Sequence, residues 1–175
     1  MRILLAGGAG FIGSHFTRGL LRVGHSVVVL DNVSTGRWAN LTRIQSEAKA
    51  DALELIEACV CAPPPLPGRF DAVINLASPA TPVDYLRRPL ETLEVGSTGT
   101  RNLLEIARRD NARFLLASTS EVYGDPHVHP QPETYWGHVN PIGPRSVYDE
   151  AKRFSEALAS AYAREKHAVV RIVRI

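Results

Sequence analysis

Three glycines that follow a short apolar run constrain this chain more than any other feature. Residues 2–6 (RILLA) are typical of a buried parallel strand, and residues 13–23 predict a helix. Between them, the segment GGAGFIG contains Gly7, Gly10 and Gly13. In a dinucleotide-binding turn the first glycine permits a tight turn, the second lets the backbone approach a pyrophosphate, and the third lets helix pack on strand. The helix N-terminus then offers free N–H groups to the phosphates.

Strands and helices alternate along the rest of the chain. Apolar runs predict strands, periodic segments predict helices and proline-rich stretches predict loops. The predicted strands are 26–30, 53–57 (near a sheet edge), 71–76, 113–118 and 168–173; the helices are 38–48, 90–109 and 146–166; the loops are 62–68 and 124–145. This order favours an α/β fold with a doubly wound, Rossmann-like parallel sheet and helices on both faces. We expect one domain, residues 1–175, that binds NAD.

The composition excludes several function classes. Twenty Lys and Arg against 18 Asp and Glu give a net charge of +2, which does not favour a nucleic-acid partner. The cysteines, Cys59 and Cys61, are too close for an easy disulfide and too few for a zinc site, so no metal is expected. The N-terminal segment is too short and glycine-rich for a signal peptide or membrane span, so we expect a cytoplasmic protein without a membrane anchor.

An acidic residue at the end of the second predicted strand favours NAD as the cofactor. Asp31 follows Gly13 by 18 residues. A carboxylate at this position accepts hydrogen bonds from the adenosine ribose hydroxyls and repels the 2′-phosphate of NADP.

A tyrosine and a lysine on the last predicted helix suggest proton transfer. Tyr148 and Lys152 are four residues apart, so their side chains face the same way. Lowering the pKa of a tyrosine by three units requires about 4 kcal/mol. An ammonium about 6 Å away supplies roughly 2–3 kcal/mol, and an oxidised nicotinamide ring would supply the rest. We therefore expect Lys152 to hold the nicotinamide ribose and lower the pKa of Tyr148, the base that takes a proton from a substrate hydroxyl.

Polar residues follow the buried strand at 113–118, where open α/β sheets bind their ligands. They are Thr119, Ser120 and Glu121. A hydroxyl at this strand end can hydrogen-bond the substrate oxygen that Tyr148 deprotonates. These three residues are therefore candidate catalytic groups.

Taken together, these motifs resemble the UDP-glucuronate decarboxylases, a group within the extended short-chain dehydrogenase/reductase (NAD-dependent epimerase/dehydratase) family. The likeness spans nearly the whole chain, and its most specific part is HPQPETYWGHVNPIGPRSVYDEAKR at 129–153; ASPATPVDY at 77–85 is similar to the family's substrate loop. The resemblance implies that further residues contact the cofactor, namely Phe11, Ile12, Asn32, Thr35, Gly36, Leu76 and Ala77. It also implies that Pro79, Tyr85, Thr119, Glu121 and Tyr148 contact a UDP-sugar.

The reaction implied by this resemblance is conversion of UDP-glucuronate to UDP-xylose through a 4-keto intermediate, with NAD recycled. The 4,6-dehydratases place an aspartate where Ser120 stands, and the 4-epimerases usually lack the glutamate that Glu121 provides. A 4-epimerase or a 4,6-dehydratase stays open as an alternative. A truncated, non-catalytic NAD-binding module is an alternative of a different class.

The sequence departs from that family in three places. Cys59 replaces a usual Asp that contacts adenine, which should weaken cofactor selectivity. Gly96 replaces a usual Asn in the long helix, which should cost roughly 1 kcal/mol of helix stability. The chain stops at Arg174-Ile175, so we expect the C-terminal substrate domain to be missing. Homodimers, formed through helices such as 90–109 and 146–166, are expected of the complete protein.

Overall fold

The computed structural model describes residues 1–175 and contains one six-stranded sheet in which every strand is parallel to its neighbours. The strands are β1 (Arg2–Ala6), β2 (Ser26–Asp31), β3 (Leu53–Glu57), β4 (Ala72–Asn75), β5 (Arg113–Ser118) and β6 (Val170–Arg174). Their spatial order is β3-β2-β1-β4-β5-β6. The predicted doubly wound fold is therefore confirmed, and β3 lies at an edge as expected.

Six α-helices connect these strands: α1 (Phe11–Arg22), α2 (Ala39–Glu47), α3 (Pro82–Arg87), α4 (Pro89–Glu94), α5 (Thr100–Asp110) and α6 (Ser146–Glu165). The long helix predicted at 90–109 is wrong in one respect, because a π-helical segment, Val95–Gly99, separates α4 from α5. The prediction also missed α3, which begins at Pro82 with Thr81 as its N-cap. No helix is both long and apolar enough to cross a membrane.

Two hydrophobic cores lie on opposite faces of the sheet, as alternation along each strand requires. In β1, Leu4 points into the core beneath α5 and α6, whereas Ile3 and Leu5 point into the core beneath α1 and α2. All three side chains are almost fully buried. A central strand covered on both faces explains why the whole run is apolar.

Helix α1 packs against the sheet through small residues. Its fully buried positions are Gly13 and Thr17, and the Thr17 hydroxyl donates to the Gly13 carbonyl oxygen at 2.9 Å. The large side chain of Phe16, on the same helix, is 41% exposed. The close approach places small residues at the contact and leaves large side chains at its margin.

The π-helical segment exists beside a close contact with α6. A Cβ atom on Gly96 would lie 2.7 Å from both the Cβ atom and the carbonyl oxygen of Ala151. Such distances require the neighbouring backbone to move, so a side chain does not fit at this position. The expectation that Gly96 is simply a helix-weakening replacement therefore leaves out its packing role, which is to let α4–α5 approach α6.

Candidate active site

A cleft crosses the carboxyl ends of the strands where the order of the sheet reverses, between β1 and β4. Open α/β sheets bind ligands at this position. A cavity of about 430 Å³ in the cleft brings the glycine turn together with the Tyr–Lys pair. The candidate site residues that line this cavity are Gly7, Gly10, Phe11, Ile12, Gly13, Thr35, Leu76, Thr119, Tyr148 and Lys152.

The three glycines of the turn meet different constraints. Gly7 has φ +81°, and a Cβ atom there would lie 2.7 Å from the backbone of Leu76 and Ala77. A Cβ atom on Gly13 would lie 2.2 Å from the Gly7 carbonyl oxygen. The nearest atom to a Cβ on Gly10 is 3.4 Å away, so the space beside Gly10 is open to the cleft. Gly7 and Gly13 are therefore required by the fold, whereas Gly10 leaves room for a ligand.

Asp31 ties the second strand to the glycine turn. One oxygen of its carboxylate accepts a hydrogen bond from the Ala9 N–H at 2.9 Å, and the other accepts from the Val33 N–H at 2.8 Å. A carboxylate has about four acceptor positions. Asp31 therefore fixes the turn and keeps acceptor capacity for ribose hydroxyls.

A second cavity of about 160 Å³ continues the cleft past Asp31 and shares Gly7, Gly10, Thr35, Leu76 and Ser78 with the first. The other candidate residues on its wall are Asp31, Asn32, Gly36, Ala77 and Pro79. Cys59 also lies there, where its sulfur accepts a weak hydrogen bond from the Cys61 N–H at 3.4 Å. Three residues that no sequence motif indicated also form part of this wall, namely Arg88, Glu91 and Glu94.

Lys152 is buried beside Tyr148. Its ammonium group donates to the Ala117 carbonyl oxygen at 2.9 Å and lies 5.8 Å from the centre of the Tyr148 ring. Burial lowers the pKa of Lys152 to about 8. Burial raises the pKa of Tyr148, while the Thr119 hydroxyl acts in the opposite direction. The predicted lowering of the Tyr148 pKa is therefore not present in the chain alone, because desolvation of the phenol is the larger effect.

Tyr85 lies behind Tyr148 rather than on the wall of the cleft. The two rings stack with their centres 5.0 Å apart and their planes 7° from parallel. Tyr85 has no accessible surface, and its hydroxyl has no hydrogen-bond partner. Its contact with a substrate stays a prediction, and the observed geometry makes it a support for Tyr148.

The segment after β5 separates its three candidate residues. Thr119 lines the cavity of about 430 Å³ that also contains Tyr148 and Lys152, and its side chain accepts a hydrogen bond from the Glu121 N–H at 3.3 Å. Glu121 accepts a hydrogen bond from the guanidinium of Arg145 at 2.5 Å, so these two side chains form an ion pair. Ser120 is exposed, and its backbone N–H donates to the Ile175 carbonyl oxygen at 3.0 Å. The structure therefore brings Thr119 to the cleft and does not bring Ser120 there.

Glu121 and Arg145 belong to a polar cavity that adjoins the cleft. Asp149 lines it as well, although sequence reasoning did not select this residue. A carboxylate in the first turn of a helix is ordinarily explained by its favourable interaction with the helix dipole, so the position of Asp149 in the sequence did not indicate a functional role. No group of three or more His, Cys, Asp or Glu side chains forms a metal site.

A family model described as the NAD dependent epimerase/dehydratase family matches residues 3–175. The chain belongs to this family. It is 51% identical over 174 residues to UDP-glucuronic acid decarboxylase 1 of Xenopus tropicalis, and this match covers 99% of the chain and 40% of the relative. It is 50% identical over 175 residues to UDP-glucuronic acid decarboxylase 1 of Arabidopsis thaliana, and this match covers all of the chain and 39% of the relative. The chain thus spans about two fifths of these curated relatives.

Solved structures of the family share the fold. A dTDP-glucose 4,6-dehydratase from Streptomyces venezuelae with NAD bound is 29% identical and has a TM-score of 0.82; the match covers 99% of this chain and 55% of that one. A UDP-glucose 4-epimerase from Thermotoga maritima is also 29% identical, with a TM-score of 0.83 and the same coverage. This family member therefore has the Rossmann-like fold that these solved structures contain.

Proposed function

We propose that this family member is the NAD-binding part of an enzyme that decarboxylates UDP-glucuronate to UDP-xylose. The observation that carries the proposal is the single cleft in which Tyr148 and Lys152 meet the glycine turn. The relatives support the proposal because the chain is 50–51% identical in sequence to two UDP-glucuronic acid decarboxylases. Residues 1–175 would form one cofactor-binding domain, and the substrate domain would lie in the rest of the complete protein.

The residues of the cleft fit NAD. Gly10 leaves open the space that a Cβ atom would fill, and the first turn of α1 offers free N–H groups beside it. Asp31 has acceptor capacity left for ribose hydroxyls and disfavours a 2′-phosphate. Bound there, NAD would supply a hydride acceptor for C4 of the sugar and later a hydride donor. Other residues that would hold it are Phe11, Ile12, Asn32, Thr35, Gly36, Leu76 and Ala77.

Tyr148 would move the proton of the C4 hydroxyl. Its ring is fixed by stacking on Tyr85, and Thr119 lies close enough to share the same substrate oxygen. Since burial raises the pKa of this phenol, a positive charge in the cleft is needed to favour the phenolate. Lys152 contributes one such charge from 5.8 Å away. Oxidation at C4 makes the sugar acid a β-keto acid, so carbon dioxide can leave with its electrons held by the C4 ketone.

Glu121 would handle the proton that the resulting enolate requires. It lies at the end of β5, held by Arg145, and faces the polar cavity. Ser120 disfavours a 4,6-dehydratase, because a serine cannot act as the acid for a departing hydroxyl at neutral pH. Its exposed position gives it no contact with the cleft in this structure, so a catalytic role for Ser120 stays a prediction from the sequence.

Mass analysis of the product tests the reaction. The complete protein is incubated with UDP-glucuronate and NAD, and separately with UDP-glucose. Loss of carbon dioxide from UDP-glucuronate supports the proposal, whereas loss of water or an isomer of unchanged mass supports a dehydratase or an epimerase. Tyr148→Phe is the matched control, because it keeps the stacked ring and removes the hydroxyl.

The alternative of another class is that the 175-residue chain alone is a non-catalytic NAD-binding module. It is favoured by the fact that both cavities of the cofactor cleft are formed within these residues. Titration calorimetry with NAD and with a UDP-sugar separates the two: binding of NAD without binding of the sugar indicates the module.

A homodimer of the complete protein is proposed through α4 and α6. Exposed apolar side chains lie on this side of the molecule, where α4 packs beside α6. They are Leu86, Leu90 and Leu93 from α3 and α4, and Phe154 from α6. Exposed apolar clusters of this kind mark interaction surfaces.

A further inference from the structure

Asp149 is a buried carboxyl group that the proposed chemistry does not yet use. Only 8% of the residue is exposed, and its Oδ1 atom has no hydrogen-bond partner. Leaving a buried acceptor without a partner costs about 1–3 kcal/mol. The side chain nevertheless faces the polar cavity that Glu121 and Arg145 also line.

The neighbouring charges give Asp149 no counter-ion of its own. Arg145 is already paired with Glu121 at 2.5 Å, so two carboxyl groups share one guanidinium. Burial and, after it, the charge of Glu121 raise the pKa of Asp149 to about 6 against the opposing effect of Arg145. A dipole role at the start of α6 would lower this pKa instead. The carboxyl of Asp149 therefore binds a proton more readily than an ordinary carboxyl group does.

The substrate would increase this effect. If the carboxylate of UDP-glucuronate were to enter this cavity, three carboxyl groups would surround one guanidinium. Like charges in one site raise the pKa of one member strongly. Protonation of one carboxyl removes most of the repulsion.

We propose that Asp149 is a positioning residue that shares one proton with Glu121, so that Glu121 can stay paired with Arg145 and still donate a proton when the substrate's carboxylate has left as carbon dioxide. This proposal rests on the proposed decarboxylase function. The proton would pass from the carboxyl pair to the enolate carbon, forming one C–H bond and leaving both carboxyls ionised. Water in the polar cavity, about 520 Å³ in volume, would return a proton to the pair.

Other ionisable groups act on Asp149 from each element packed around it. Glu121 comes from the segment after β5, Arg145 precedes α6, and Glu150 is its neighbour on α6. Tyr85 comes from α3, and Tyr148 precedes it on α6. Of these, Glu121 is the charge with the largest effect on Asp149, so the pair rather than either group alone should titrate.

Infrared spectroscopy of the 175-residue chain tests the shared proton without any turnover. We expect a protonated-carboxyl band that disappears with a midpoint near pH 6, above the ordinary range of about 4 for carboxyl groups. Asp149→Asn should abolish the band, and Glu121→Gln should move its midpoint to lower pH. Glu150→Gln is the matched control and should leave the band in place. Absence of a band near pH 6 in the unsubstituted chain would overturn the proposal.

Proton uptake on binding tests the link to the substrate. The complete protein with Tyr148→Phe, which blocks turnover, is titrated with UDP-glucuronate in buffers of different ionisation enthalpy at neutral pH. We expect uptake of up to about one proton per site, much less uptake with UDP-glucose, and none with Asp149→Asn.

The two proposals fail separately. If the complete protein does not release carbon dioxide from UDP-glucuronate, the proposed function fails, whatever the infrared result. If carbon dioxide is released but UDP-glucuronate binds without proton uptake, the role of Asp149 is refuted and the decarboxylase assignment stands. Circular dichroism confirms that each variant is folded, and Glu121→Gln gives a second test should Asp149→Asn fail to fold.

Discussion

Adding one methyl group at Gly13 or at Gly10 should separate the structural role of the glycine turn from its binding role. A Cβ atom on Gly13 would lie 2.2 Å from the Gly7 carbonyl oxygen and 2.6 Å from the Gly8 Cα atom. Both are backbone atoms, so α1 must move away from β1 to make room for the methyl group. Overpacking of this kind typically costs about 1–3 kcal/mol. In a chain of this size each kcal/mol lowers the melting temperature by roughly 2–4 °C.

Gly10 should behave differently. Its φ of −76° and ψ of 178° suit any residue, and the nearest atom to an added Cβ is 3.4 Å away. Removing a glycine from the unfolded chain stabilises by about 0.4–1 kcal/mol where the conformation is compatible. Gly10→Ala should therefore keep or slightly raise the melting temperature. The same methyl group occupies the space through which a pyrophosphate would approach, so NAD binding should weaken at least tenfold.

Thermal unfolding and titration calorimetry with NAD, on the same two variants of the chain, provide the measurements. Gly19→Ala is a matched control, because an added Cβ there meets no atom within 4 Å and Gly19 lies on the outer side of α1. A Gly10→Ala chain that binds NAD as the unsubstituted chain does would refute the placement of the pyrophosphate. A Gly10→Ala chain that loses as much stability as Gly13→Ala would refute the assignment of distinct roles.

Four further outcomes are expected. In the complete protein Tyr148→Phe should lower turnover by about 10²–10⁴ while NAD still binds; retained oxidation at C4 in a rapid-mixing absorbance assay would reject Tyr148 as the base. The lowered pKa of Lys152 means that the folded chain binds fewer protons than the unfolded chain between about pH 8 and pH 10.5, so stability should rise across that window; Lys152→Met should remove this slope in urea titrations. The hydrogen bond from Arg109 lowers the pKa of Asp110, so the stability that the ionised Asp110 contributes is present above the pKa of the unfolded chain and lost as pH falls through the pKa of the folded chain. Asp110→Asn should therefore lower the free energy of unfolding by about 1–3 kcal/mol at pH 7, measured with urea. An equal loss at pH 2 would contradict the ionic origin. Leu90→Glu should convert a dimeric complete protein to monomers in light scattering, and an unchanged mass would exclude this face.

The strands of this fold could be predicted because each one is a short apolar run bounded by polar or glycine residues. Leu4 and Ile3 belong to different cores, yet both are buried, so no alternation was needed to recognise β1. The π-helical segment could not be predicted in the same way. It accompanies a contact between Gly96 and Ala151, and these residues are 55 positions apart in the sequence. Local periodicity carries no information on such a contact.

The candidate site shows the same division. The meeting of Tyr148, Lys152 and the glycine turn could be predicted, because helical spacing and strand order place them at one edge of the sheet. The raised pKa of Tyr148 could not be predicted, because the sequence does not give the depth at which the phenol is buried. Asp149 was missed because its importance depends on Arg145 being occupied by Glu121, and that pairing is set by the conformation of the loop between β5 and α6.

The buried polar atoms without partners mark where this chain departs from a structure built only for stability. They are the Tyr85 hydroxyl, the Ser118 hydroxyl and one oxygen of Asp149. All three lie beside Tyr148: one residue stacks on its ring, one lines the same cavity, and one follows it on α6. The cofactor half of the cleft has its polar groups satisfied, as Asp31 shows with both oxygens bonded. The unsatisfied groups are therefore concentrated around the phenol that is proposed to move the proton, and buried polar atoms without partners at such a place indicate a functional role.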